Sequence, residues 1–79
     1  MLTLKIISPE KVVFQGTVDS VTVPGTLGAF QILNDHAPII SSLEEGVVEY
    51  ATPEGKMHLD IAGGFVEVKK NEVCVCVEV

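Results

Sequence analysis

The stretch VCVCVEV, residues 73–79, sets Val73, Val75, Val77 and Val79 on one parity and Cys74, Cys76 and Glu78 on the other. Successive side chains of an extended chain point to opposite faces, so this spacing predicts a strand with one packed face and one face turned outward. The same parity recurs near the start, where Leu2, Leu4 and Ile6 alternate with Thr3 and Lys5, and again where Val21 and Val23 alternate with Ser20 and Thr22. β-Branched residues dominate these runs, as pleated, half-buried surfaces prefer.

Turn signals separate the runs: Gln15-Gly16, Pro24-Gly25, Glu45-Gly46, Pro53-Glu54-Gly55, Gly63-Gly64 and Lys70-Asn71. Gly63-Gly64, between HLDIA and FVEVK, reads as a two-residue hairpin turn. Many short strands at this spacing predict an all-β sandwich or barrel. The best helix start is Ser8-Pro9-Glu10-Lys11, an N-cap serine before a proline at the first helical position. Val12-Val13-Phe14 and Gly16 follow at once, so at most one turn fits and a strand is expected. Ile7, Val13, Val48 and Phe65 fall out of phase with their neighbours. They are either candidate docking positions or residues of strands buried on both faces.

With 79 residues the chain is expected to form one domain over 1–79, with no linker, repeat or low-complexity tract. It is 47% hydrophobic, too apolar for a disordered segment. Eleven acidic against five basic residues give a net charge of -6, which repels phosphate backbones and anionic lipid headgroups; nucleic acid is not an expected partner. No apolar run is long enough to cross a bilayer as a helix, so no direct membrane insertion is expected. The N-terminus lacks the pattern of a secretory signal, and a cytosolic or peripheral location follows. Cys74 and Cys76 would have Cα atoms roughly 6.7 Å apart in a strand, near the limit for a disulfide. Free thiols are expected, as a reducing compartment permits.

LNDHAPII, residues 33–40, places a carboxylate, Asp35, beside an imidazole, His36. A hydrolytic pair needs a nucleophile and an oxyanion site within reach. The chain offers no such elbow, and adjacent residues in extended backbone diverge, so no catalytic residue is expected. A metal site would draw on His36, His58, Cys74, Cys76, Asp35 and Asp60, but a C-x-C and two isolated histidines lack the spacing of structural zinc. His58 reads better as a strand histidine opposite a carboxylate. The glycines open no helix, so no phosphate loop and no cofactor are expected. What remains is the turn-rich stretch from Pro24 to Ser42, whose mix of Phe30, Gln31, Asn34, Asp35 and His36 suits contact with another protein.

Three blocks carry a family resemblance. IISPEKVVFQG, residues 6–16, resembles an opening S-P-E-K-V-x-F-x-G. VDSVTVPGTLGAFQILNDHAPII, residues 18–40, is similar to V-x-S-V-x-V-P-G-x-x-G-x-F/L-G-I/V-L-P-G-H-A-P-L-L. AGGFVEVKKNEVCV, residues 62–75, looks like S-G-G-F-x-E-V-x-x-N-x-V-x-V. In this order they resemble the N-terminal β-sandwich domain of the ε subunit of bacterial F-type ATP synthase. The resemblance implies a flattened ten-stranded β-sandwich and a non-catalytic rotor subunit that links the γ shaft to the membrane c-ring and helps couple ion flow to ATP synthesis. It implies a peripheral place on the cytoplasmic face of the bacterial inner membrane. By the family's pattern Gly28, Ala29, Phe30 and Gln31 face the polar loops of the c-ring. Ser8, His36 and Ser41 fall at positions associated with γ and the rotor contact, and Asn34 and Asp35 belong to the same partner-binding loop.

The chain departs from that pattern in three places. Ala29 stands where a glutamate is common, so a charge for basic loop residues of the ring is missing there, and Asp35 is the acid that can compensate. Asn34-Asp35 replaces the usual Pro-Gly; Asn tolerates left-handed backbone and Asp can close an Asx-turn. The sequence stops at Val79, directly after the last expected strand, where the family continues into two helices, and from this an adaptor without an inhibitory C-terminal arm is expected.

Overall fold

A computed structural model describes all residues, 1–79. The nine strands are β1 (Leu2–Ile7), β2 (Val12–Val18), β3 (Ser20–Val23), β4 (Phe30–Ile32), β5 (Ile39–Leu43), β6 (Gly46–Thr52), β7 (Gly55–Ile61), β8 (Gly63–Lys69) and β9 (Glu72–Glu78). They form two sheets, β2-β1-β9-β8-β5 and β4-β3-β6-β7. There are no helices, and none long and apolar enough to cross a membrane. The all-β sandwich follows expectation; the strand count is nine rather than ten, with Gly25 and Leu43 joined only by an isolated bridge.

Leu2, Leu4, Ile6, Val66, Val68, Val73, Val75 and Val77 point inward from the five-stranded sheet, against Val21, Val23, Ile32, Val48, Tyr50 and Ile61 from the other. The alternation thus selects one face of each strand. Val79 lies beyond β9 and is 75% exposed, so the packed parity ends at Val77. The strand pairing is antiparallel except at the centre of the five-stranded sheet, where β1 and β9 run parallel, Leu4 opposite Val73 and Ile6 opposite Val75. At one open edge of the sandwich Phe14 of β2 reaches Tyr50 of β6, ring centroids 4.6 Å apart, and so bridges the two sheets.

Two of the expected turns close hairpins. Lys70 and Asn71 have φ of 51° and 62°, the left-handed pair that a two-residue loop requires between Lys69 and Glu72. Thr52 donates its hydroxyl to the Gly55 carbonyl and accepts from the Glu54 amide, closing β6 onto β7. At Ser8-Pro9-Glu10-Lys11 no helix forms. The Ser8 amide and hydroxyl both donate to the Lys11 carbonyl, and the chain reverses into β2.

Two other turns and one docking position need correction. Gly63-Gly64 is no hairpin turn: β7 and β8 belong to different sheets, and the chain crosses at Ala62. Gly64 has φ of 147° and lies so close to the Cys76 carbonyl that a Cβ would overlap it, so glycine serves backbone approach there. Gly16 pairs with Leu4 in the middle of β2. Val48 is fully buried, because the Val48–Tyr50 parity faces the core and leaves Val47 outside. Ile7 and Val13 are half-buried, and Phe65 is exposed.

Candidate functional site

The loop between β3 and β4 is pinned from several sides. The Gly28 amide donates to the Gly25 carbonyl at 2.9 Å, making a tight turn with Thr26 and Leu27 at its tip. Gly28 has φ of 128°, which side chains other than glycine rarely adopt. Thr26 donates its amide to the Ser42 carbonyl at 3.1 Å and shares a hydroxyl–hydroxyl hydrogen bond of 2.9 Å with Ser42, while the Glu44 amide donates to the Pro24 carbonyl. These bonds fasten the loop to the end of β5. Leu27 is left fully exposed at the tip.

Beside this turn lies an open groove of about 430 Å³, lined by Leu27, Gly28, Ala29, Phe30, Ile40 and Ser41 among others. Four of the expected contact residues, Gly28, Ala29, Phe30 and Ser41, therefore meet in one place. Phe30 packs its ring against the core, whereas Gln31 points outward from the four-stranded sheet opposite Thr22. Ile40 is 74% exposed.

The loop between β4 and β5 carries Asn34, Asp35 and His36. Asp35 has φ of 60°, and its amide donates to the side-chain oxygen of Asn71 at 2.7 Å. The Asn71 amide group donates back to the Asp35 carboxylate at 3.3 Å. His36 donates its own amide to the Leu33 carbonyl, and its Nδ1 lies 2.9 Å from the Ala37 carbonyl. That carbonyl can only accept, so Nδ1 carries the proton. The carboxylate of Asp35 goes to Asn71, not to the imidazole. No acid–base dyad forms.

Ser8 stands apart from the rest. Asn71 precedes the first residue of β9, whereas Ser8 follows Ile7, which pairs with Cys76 near the far end of that strand. The two ends of β9 are roughly 20 Å apart by strand rise. The Ser8 side chain is buried and engaged with Lys11 in its own turn. The contact set expected from sequence thus divides into the groove, Gln31 on the outer face of the four-stranded sheet, the Asn34–His36 loop and a separate turn.

Sequence reasoning passed over Leu27, Ile40 and Asn71. For Leu27 a signal existed, since an apolar side chain inside a turn sequence has no core to enter. Nothing local marks Asn71 as the partner of a residue 36 positions earlier.

The histidines and cysteines do not converge. His58 lies across from Glu49, with Nε2 3.0 Å from the carboxylate, on the outer face of the four-stranded sheet. Lys56 approaches the other oxygen of Glu49 at 3.6 Å. Cys74 and Cys76 are free thiols on the outer face of the other sheet. No group of three or more His, Cys, Asp or Glu is placed to hold a metal ion.

Two hydrogen-bonded loops thus flank β4 on the sandwich, with the apolar side chains of Leu27 and Ile40 exposed beside the first of them. The whole chain, residues 1–79, matches the family described as ATP synthase, Delta/Epsilon chain, beta-sandwich domain. It is 45% identical over 74 residues to the ATP synthase epsilon chain of Leptospira borgpetersenii, covering 94% of this chain and 58% of that protein. It is 44% identical over 78 residues to the ATP synthase epsilon chain of Nitratiruptor sp., covering 98% of this chain and 60% of that protein. Among solved structures it superposes with a TM-score of 0.89 on a chain of the Euglena gracilis mitochondrial ATP synthase OSCP/F1/c-ring assembly, at 23% identity, covering 96% of this chain and 49% of that one. The chain belongs to the ATP synthase delta/epsilon β-sandwich family, and it spans about three fifths of the length of the curated relatives it matches.

Proposed function

We propose that this chain acts as a non-catalytic element of the rotor of an F-type ATP synthase, seated between the γ subunit and the polar loops of the c-ring. It would sit peripherally on the cytoplasmic face of the bacterial inner membrane and help transmit torque between ion flow and ATP synthesis. The observation that carries this reading is the family match over all 79 residues. The pinned β3–β4 turn supports it further, because a rotor contact must hold its shape under load and this turn is fixed to β5 by backbone and side-chain hydrogen bonds alike.

With Ala29 at the turn and Asp35 held by Asn71 in the neighbouring loop, the ring contact at the turn itself is uncharged. It would consist of Leu27, Ala29 and backbone groups, with γ taking His36 and Ser41. Ser8, buried in its own turn, would contribute to γ binding by shaping the β1–β2 corner.

Co-purification of the cognate γ subunit with this chain tests the reading. Retention of γ, unchanged by chelator and weakened by His36→Ala, is the expected result. Failure of the wild-type chain to retain γ would overturn it.

A further inference from the structure

Cys74 and Cys76 are the one chemically reactive pair that docking leaves unused. They occupy alternate positions of β9 and so project from the same outer face, both free and both half-buried. Each lines a shallow depression. Cys74 shares one of about 390 Å³ with Thr3, Lys5, Gln15 and Glu67, and Cys76 shares another with Ile7 and Phe65. Small solutes can therefore reach both sulfurs.

We propose that Cys74 and Cys76 form a two-coordinate site for a soft monovalent cation of the copper(I) class. Soft thiolates select such ions, and two ligands suffice for a linear sulfur–metal–sulfur arrangement. Zinc, which takes four ligands in structural sites, finds no third or fourth ligand here. Binding proceeds as M⁺ + 2 RSH → [M(SR)₂]⁻ + 2 H⁺: two sulfur–metal bonds form, two S–H bonds break, and the protons leave to solvent with no change of oxidation state.

The bound site keeps one negative charge, and Lys5, directly across from Cys74 on β1, faces it; Glu67, across on β8, opposes it. The site does not depend on the rotor reading, since it uses only residues of this chain on one sheet face.

The test is an anaerobic titration of the reduced chain with copper(I) in competition with bicinchoninate, repeated with silver(I), which needs no reductant. One cation per monomeric chain is expected, with about two protons released and affinity rising by roughly 100-fold per pH unit below the thiol range. Cys74→Ser and Cys76→Ser should each abolish competition while keeping the circular dichroism of the wild type, and Lys5→Gln should weaken binding several-fold. Binding that survives either serine substitution, binding only as a chain–metal–chain bridge, or no competition with bicinchoninate would each overturn the proposal.

Discussion

Asp35 and Asn71 hold each other through two hydrogen bonds, amide to side-chain oxygen at 2.7 Å and side-chain nitrogen to carboxylate at 3.3 Å, and both have left-handed backbone. The Asn71 carbonyl also accepts from the Thr3 amide at 2.9 Å. Asn71 thus ties the His36 loop to the β8–β9 hairpin and to the first strand. Asn71→Ala removes the clamp and places a Cβ residue at positive φ, with an expected loss of about 1–3 kcal/mol in urea unfolding. Asn71→Gly keeps the backbone preference and should cost less, yet both variants should speed hydrogen exchange at the Asp35 amide. Unchanged exchange there would show that the clamp does not hold the loop.

Gly64→Ala is expected to be among the most damaging single changes, because its Cβ would overlap the Cys76 carbonyl and its φ of 147° disfavours any side chain. A loss of about 3 kcal/mol or more, or failure to fold, should appear in denaturant titration. Gly63→Ala, whose Cβ would lie 3.6 Å from the Leu43 carbonyl oxygen, is the matched control and should change stability by less than about 1 kcal/mol.

Phe14→Ala removes the ring that closes one edge of the sandwich over Tyr50. Phe14 is only half-buried, so a loss of about 2 kcal/mol is expected, below the range for a fully enclosed ring. The near-ultraviolet circular dichroism of Tyr50, the one tyrosine, should change with it.

Leu27→Ser should separate stability from docking. The side chain is fully exposed, so the unfolding midpoint should stay within about 0.5 kcal/mol of wild type. Binding to isolated c-ring should fall several-fold. Equal binding by the two proteins would remove the turn tip from the proposed contact.

The raised Cys74 thiol gives a pH dependence with a defined sign. Its folded state holds the proton more tightly than the unfolded chain does, so the contribution is fully present below the ordinary value of 9.0. It is lost as pH rises past that value and through the folded one. Stability of the reduced chain should decline in that alkaline window, and Cys74→Ser should flatten the decline.

Much of the architecture was legible because its cause is local. The parity of Val73, Val75 and Val77, and of Leu2, Leu4 and Ile6, needs only the geometry of an extended chain and one dry face. What escaped depends on sites distant in sequence. Gly63-Gly64 looks like a hairpin turn until Cys76 is known to lie against it, and Val48 looks misplaced until Tyr50 sets the frame of β6. The same holds for the candidate site. Phe30, Asn34, Asp35 and His36 were readable from the make-up of the stretch from Pro24 to Ser42 and Gly28 only from the family resemblance, whereas the pairing of Asp35 with Asn71 and the distance of Ser8 from both emerge only from strand order.

The parallel pairing of β1 with β9 has a consequence for biosynthesis. The strand made first waits for the strand made last of the nine, because β9 separates β1 from β8 in the five-stranded sheet. Until residue 78 clears the ribosome, β1 and β2 form a hairpin with one unsatisfied flank, marginal on its own. Folding is therefore a late, all-at-once event dominated by distant contacts, and slow for a domain of this size. Ribosome-arrested chains should remain protease-sensitive when cut short before β9 and become resistant once it has emerged.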